Sequence, residues 1–136
     1  MTPVDETFDL IVVGSGIAGL TTALLAEDRA RVLLLTKAAL HDSNTWHAQG
    51  GMAAAVGADD DPWLHAEDTL TAGAGLAEAG PVRALTAAGR RAVEHLLRYG
   101  VRFDRRPDGV LALGREGAHR LNRIVHAGGD ATGARI

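Results

Sequence analysis

The 136-residue sequence contains no cysteine. Disulfides, thiolate metal centres and a thiol nucleophile are therefore excluded, and the composition is compatible with a reducing compartment such as the cytoplasm. It also lacks a surplus of positive charge. Fourteen Lys and Arg face seventeen Asp and Glu, a net charge of −3, which gives no basic surface for nucleic acid. No apolar run approaches the ~18 residues that cross a bilayer, so no membrane span is expected. The start, MTPVDETFDL, is acidic and has no basic n-region, unlike a secretory leader. The six histidines show no metal-ligand spacing, and no metal is expected. Walker and Gly-x-Ser-x-Gly motifs, internal repeats and low-complexity tracts are absent as well.

What is present is a globular composition, 46% apolar and 23% charged. Seventeen glycines, about one residue in eight, fall in clusters. Phe8–Val13 is short, apolar and rich in β-branched residues, the pattern of a strand buried on both faces. Gly14-Ser15-Gly16-Ile17-Ala18-Gly19 follows directly, then the helix formers of Leu20–Ala26, then a second apolar run, Arg31–Leu35. Strand, glycine turn, helix and strand in this order predict a βαβ unit that binds a dinucleotide. Gly14 would permit the tight turn, Gly16 the approach of a pyrophosphate, and Gly19 close packing of helix on strand. Free N–H groups at the helix start suit the phosphates. The second strand ends in Thr36-Lys37 where an acid would hold a ribose. Lys37 reads either as a phosphate contact or as a solvated strand end, and the turn alone leaves FAD, NAD and NADP open.

Farther along, 36–51 is a long polar loop. Asp61-Pro62 predicts a helix start, with an end at Gly73. A helix beginning at Gly80-Pro81 and ending at Gly100 would bury Val82, Leu85, Val93 and Leu96 on one face. Pro107-Asp108-Gly109 predicts a hairpin between 101–103 and 110–113. Another helix would begin after Asp130. Asp59-Asp60-Asp61 reads as a solvated turn with a helix cap. The fold class is thus α/β: a Rossmann-like βαβ unit followed by helices and a short hairpin. Two parallel strands make a poor sheet, with open edges, so residues 1–136 are expected to be the N-terminal part of a larger nucleotide-binding domain.

Several separated motifs then converge. Ser43-Asn44-Thr45-Trp46-His47-Ala48-Gln49-Gly50-Gly51, after a strand ending in Thr-Lys, resembles the flavoprotein family that contains L-aspartate oxidase, succinate dehydrogenase and fumarate reductase. The resemblance continues through Glu67-Asp68-Thr69, Ala72–Leu76, Gly100–Asp104, Arg123-Ile124, His126-Ala127 and Asp130–Gly133. It implies FAD, held by Gly14–Gly19, Lys37 and the loop Asn44–Gly51. Ser43, Asn44, Thr45 and Gln49 offer polar groups to it, while Gly50 and Gly51 leave the backbone bare. Trp46 reads equally as a packed aromatic, and His47 as an ordinary histidine. Where relatives attach FAD through a loop histidine, the aligned residue here is Asn44, so the resemblance implies noncovalent FAD.

Arg115-Glu116-Gly117-Ala118-His119 resembles the Arg-Glu-Gly-Gly-His segment of the L-aspartate oxidase branch. Glu116 matches the acid that orients the substrate's α-amino group; its other reading is a surface acid paired with Arg115 or Arg120. Ala118 and Arg120 depart from the usual Gly and Ser. The resemblance implies oxidation of L-aspartate to iminoaspartate, with oxygen or fumarate as acceptor and quinolinate synthase as the next enzyme of NAD biosynthesis. A succinate dehydrogenase or fumarate reductase flavoprotein is the alternative, and a noncatalytic nucleotide-binding fragment a third. The proton-transfer residue and carboxylate anchors are expected beyond residue 136.

Overall fold

The computed structural model describes residues 6–136; the first half of the acidic start read against a leader lies outside them. The described chain forms two compact units, the first ending at Ala48 and the second Gln49–Arg135. No hinge composition announced that division.

In the first unit β1 (Leu10–Val13) and β2 (Val32–Leu35) pair in parallel, with Leu10 opposite Val32 and Val13 opposite Leu35. Helix α1 (Ile17–Ala26) connects them and begins three residues earlier than expected, inside the glycine motif. This is the predicted βαβ unit. The expectation of two buried faces is corrected. Val12 is buried, but Ile11 and Val13 are 56% and 81% exposed. The single connecting helix covers one face of the pair, whereas a parallel sheet is ordinarily covered on both. The loop 36–51 has no helix or strand, as expected.

The second unit pairs two helices with a small sheet. Helix α2 (Pro62–Ala72) begins as predicted, with the Asp61 carboxylate accepting the Trp63 N–H at 2.7 Å, and Gly73 closes it. Helix α3 (Ala79–Arg98) packs on α2 and buries Val82, Thr86 and Val93. Leu85 does not join that face; it is 75% exposed. At 3.6 residues per turn, the step from Val82 to Val93 passes through positions 86 and 89, not 85.

The sheet was not foreseen. β3 (Met52–Ala53), β4 (Leu113–Gly114) and β5 (Ile124–Val125) form an antiparallel sheet in the order β3-β5-β4. Two-residue strands are too short for alternation to show. The predicted hairpin is corrected too. Its turn is present, with the Asp108 carboxylate accepting the Val110 N–H at 3.0 Å. Its arms are 104–106 and 110–112, bridged at Arg105 and Leu111. Val101 and Phe103 are core residues instead. A short α4 (Thr132–Arg135) follows Asp130 as expected.

The Asp59–Asp61 reading needs the largest correction. Asp61 is the cap, but the Asp60 carboxylate is buried. Its two oxygens take Arg123 Nε and Nη2 at 2.8 Å each, and Arg123 Nη1 reaches Asp68 Oδ2 at 2.9 Å. The side chains of Arg123, Asp60 and Asp68 are 0%, 2% and 6% exposed. Arg120 extends the network, donating its backbone N–H to Asp68 at 3.0 Å and pairing with Glu67 at 3.1 Å. Burial alone would raise the Asp68 carboxyl; the Arg120 N–H groups and the Arg120 and Arg123 charges reverse this and hold it below the usual carboxylate range. Arg120, the departure from the family pattern, thus has a structural partner.

Candidate functional site

The glycine turn meets each geometric demand placed on it. Gly14 has φ +106°, a conformation L side chains rarely adopt, and donates its N–H to Leu35 O at 2.8 Å. A Cβ at Gly19 would collide with the Gly14 carbonyl, so helix and strand pack as closely as backbone allows. Gly16 differs. A Cβ there would meet only Thr45 Oγ1, at an ordinary 3.5 Å. Nothing among the described residues requires glycine at that position.

The first helical bond of α1 runs from Leu20 N–H to Gly16 O at 3.0 Å. The N–H groups of Gly16, Ala18 and Gly19 therefore have no acceptor within the helix, and Gly16 brings no capping side chain. Ile17 N–H is taken by Thr45 Oγ1 at 3.0 Å, which ties the 36–51 loop to the turn. Ser15 is buried, its hydroxyl 3.3 Å from that of Thr36. Ser43 Oγ accepts the Trp46 N–H at 3.2 Å and Ser43 O the His47 N–H at 3.2 Å. His47 Nε2 lies 3.7 Å from Asp42 Oδ1, and Trp46 stacks obliquely on His41 at 5.3 Å. A cavity of about 670 Å³ opens between these parts, bordered by Gly14, Gly16, Lys37, Asn44, Thr45 and His47 among others. Its lining offers Gly16, one lysine and one amide, groups suited to a pyrophosphate and its flanking sugar, together with the Asp42 carboxylate; Ala18 and Gly19 do not border it. Trp46 and Ala48 do not border it.

Gln49, Gly50 and Gly51 belong to the second unit. Gly50 has φ +72°. Gly51 has an internal reason to be glycine: a Cβ would stand 2.6 Å from Val125 O and 2.9 Å from His126 Cδ2, and would strike Ile124. Glu116 stands beside this turn, its Oε1 3.7 Å from where a Gly50 Cβ would be. Neither Arg115 nor Arg120 pairs with it among the described residues; its one ionisable basic neighbour there is His126, with Nε2 at 3.7 Å. The bland reading of Glu116 as half of a surface pair with a neighbouring arginine is not what the structure shows. The adjacent Ala118 has φ +70°, which explains physically why glycine is usual there.

Two motifs distant in sequence meet in this unit. Asp104 donates its N–H to His126 O at 2.7 Å, and its carboxylate receives Gly129 N–H at 3.0 Å and Gly128 N–H at 2.9 Å. Those N–H groups hold the Asp104 carboxyl below its ordinary range. His65 is buried against the edge of His119, with its Nδ1 unpartnered among the described residues. Burial, then the charges of Arg123 and His119, keep His65 below the usual imidazole range. Among the described residues no cluster of three or more His, Asp or Glu could hold a metal ion, and no helix is long and apolar enough to cross a membrane.

The FAD binding domain family model matches residues 9–136. The chain belongs to that family. Similar curated proteins include the L-aspartate oxidase of Streptomyces coelicolor, 54% identical over 129 residues, covering 94% of this chain and 22% of the relative. The L-aspartate oxidase of Mesorhizobium japonicum is 48% identical over 126 residues, covering 93% and 25%. Among solved structures, Mycobacterium smegmatis Sdh1 in complex with UQ1 superposes with a TM-score of 0.86 at 32% identity, covering 96% of this chain and 22% of that one. A quinol-fumarate reductase with menaquinol molecules gives 0.86 at 32%, covering 94% and 22%. The chain thus spans under a quarter of the Streptomyces relative's length. FAD is the family's cofactor, and the glycine cradle, whose N–H donors have no acceptor within the helix, fits FAD's pyrophosphate.

Proposed function

We propose that this chain forms the FAD-binding end of an enzyme that oxidises L-aspartate to iminoaspartate. The observation that carries the proposal is the placement of Glu116. It stands free of any arginine, beside the Gly50 turn, in a chain 54% identical to an L-aspartate oxidase. A dicarboxylate without an ammonium gives that carboxylate nothing to bind; aspartate offers it a charge-assisted hydrogen bond. FAD, when bound, supplies the two-electron acceptor for this oxidation. The chain's own residues hold and orient. The N–H groups of Gly16, Ala18 and Gly19 meet the pyrophosphate, with Ser15 and Ile17 shaping the turn, and Lys37 offsets its charge. Asn44, Thr45, Trp46, His47, Ala48, Gln49, Gly50 and Gly51 carry the loop that follows the cofactor. Asn44 has no nucleophile for a histidyl-type bond, so FAD is held noncovalently.

Oxygen or fumarate serves as the electron acceptor in this reading, and the imine passes to quinolinate synthase in the cytoplasm, in NAD biosynthesis. The likeness to fumarate reductase at a TM-score of 0.86 keeps a second reading in view, reduction of fumarate as the main reaction. Steady-state kinetics of Glu116→Gln in the complete protein separate the two. The aspartate kcat/KM should fall roughly ten- to hundredfold, the worth of a charged hydrogen bond. Fumarate reduction and FAD content should hold. Equal losses on both substrates would make Glu116 structural and return the case to the fumarate reductase reading.

A further inference from the structure

His126 is the one ionisable basic neighbour of Glu116 among the described residues, and its placement is built. It follows β5 directly, and its ring lies across two glycines. A Cβ at Gly51 would stand 2.9 Å from His126 Cδ2, and one at Gly114 would stand 3.0 Å from His126 Cε1. Both distances are tighter than most real Cβ contacts, so the ring fits closely over Gly51 and Gly114, and a side chain at either would have to displace it. The His126 backbone is fixed too, its carbonyl accepting Asp104 N–H at 2.7 Å. The ring, 24% exposed, presents Nε2 to Glu116 Oε1 at 3.7 Å. That is ion-pair range and longer than a hydrogen bond, so the imidazole acts on Glu116 through its charge.

The groups that face His126 are Glu116, from the loop after β4, and Asp104, from the segment before the 107–109 turn. Asp104 is committed to the Gly128 and Gly129 N–H groups. Glu116 has no such commitment among the described residues. A protonated imidazole therefore finds in Glu116 its free counter-charge, and a substrate ammonium must compete for the same carboxylate.

We infer that His126 is a positioning residue that acts through Glu116: neutral, it leaves the carboxylate free for the substrate's ammonium, and protonated, it pairs with that carboxylate and weakens aspartate binding. The inference rests on the proposed role of Glu116 as the ammonium partner. The expected signature is a rise in aspartate KM of roughly two- to fivefold on acidification, the worth of a partly exposed ion pair.

The test uses the complete, FAD-loaded protein. The KM for aspartate and for fumarate are measured from about pH 8 to pH 5.5, the span an imidazole covers, in wild type, His126→Gln, Glu116→Gln and the double variant. Gln reaches the Nε2 position with an amide that cannot titrate. Wild type should show the acid rise for aspartate and a smaller one for fumarate. His126→Gln should flatten the aspartate profile, and adding it to Glu116→Gln should change nothing further. A wild-type profile without the rise overturns the inference with no variant needed. An aspartate profile in His126→Gln that keeps the wild-type rise overturns it as well. If Glu116→Gln instead lowers both substrates equally, the role of Glu116 itself fails, a result distinguishable from failure of His126 alone.

Discussion

The two units hold their polar groups in opposite ways. In the unit ending at Ala48, donors are left open: the N–H groups at the start of α1 have no acceptor within the helix, Lys37 and Asn44 border a cavity, and Ile11 and Val13 stand exposed on β1. In the unit from Gln49 to Arg135, charges are buried and closed on one another, Arg123 bonding Asp60 and Asp68 with no exposure of its own. The contrast separates two kinds of charged or polar cluster. Groups that satisfy one another specify a structure, because each would be costly to bury alone. Groups that remain unsatisfied in a shaped hollow mark a place for a ligand. Glu116, in the second unit, is exposed and pairs with no arginine among the described residues.

Breaking the closed network gives the largest effect. Replacing Arg123 by Met leaves the Asp60 and Asp68 carboxylates buried and without that partner, and should destabilise the protein by about 3–5 kcal/mol. Chemical denaturation of the complete protein measures it as a lower midpoint. A loss below about 1 kcal/mol, the range of an exposed pair, would show that the network does not hold the unit and would erase the contrast.

The smallest effect sharpens the comparison from the side of the backbone. Ala118 holds φ +70°, a left-handed conformation that disfavours any residue with a Cβ. Ala118→Gly removes that strain and gains flexibility in the unfolded chain, leaving a net stabilisation of about 0.5–1 kcal/mol. Thermal unfolding should move up by a few degrees at most. A lower Tm would mean that the backbone at Glu116–His119 is held by contacts to the Ala118 methyl.

The glycine turn was legible because its physics is local. A buried strand, Gly14, Gly16, Gly19 and a helix start are adjacent in sequence, and each glycine's purpose is written in its spacing. Glu116 was legible only by likeness to relatives; its neighbours in sequence, Arg115 and Arg120, suggested the wrong partners. His126 stood inside a recognised motif with no assigned role. Its meaning depends on Gly51 and Gly114, seventy-five and twelve positions away, which only the β3-β5-β4 pairing brings together. The same holds for Asp60, which reads as one of three solvated acids until Arg123, sixty-three positions later, is placed against it. Leu85 was misplaced by a quarter turn of α3, the ordinary error of reading a face from apolar residues when a threonine occupies the buried position.

The proposed FAD site requires Gly16 to be open for a ligand, while Gly19 is closed by the fold. The most direct measurement compares Gly16→Ala and Gly19→Ala in the complete protein, reading both thermal stability and the FAD released into the supernatant by acid. Wild type should release free FAD. Gly16→Ala should unfold with a Tm close to that of FAD-free wild type yet carry little flavin, because its added methyl meets no internal clash and occupies the pyrophosphate's approach. Gly19→Ala should lose stability as well as flavin. The account is contradicted if Gly16→Ala binds FAD like wild type, or if the flavin stays in the acid pellet.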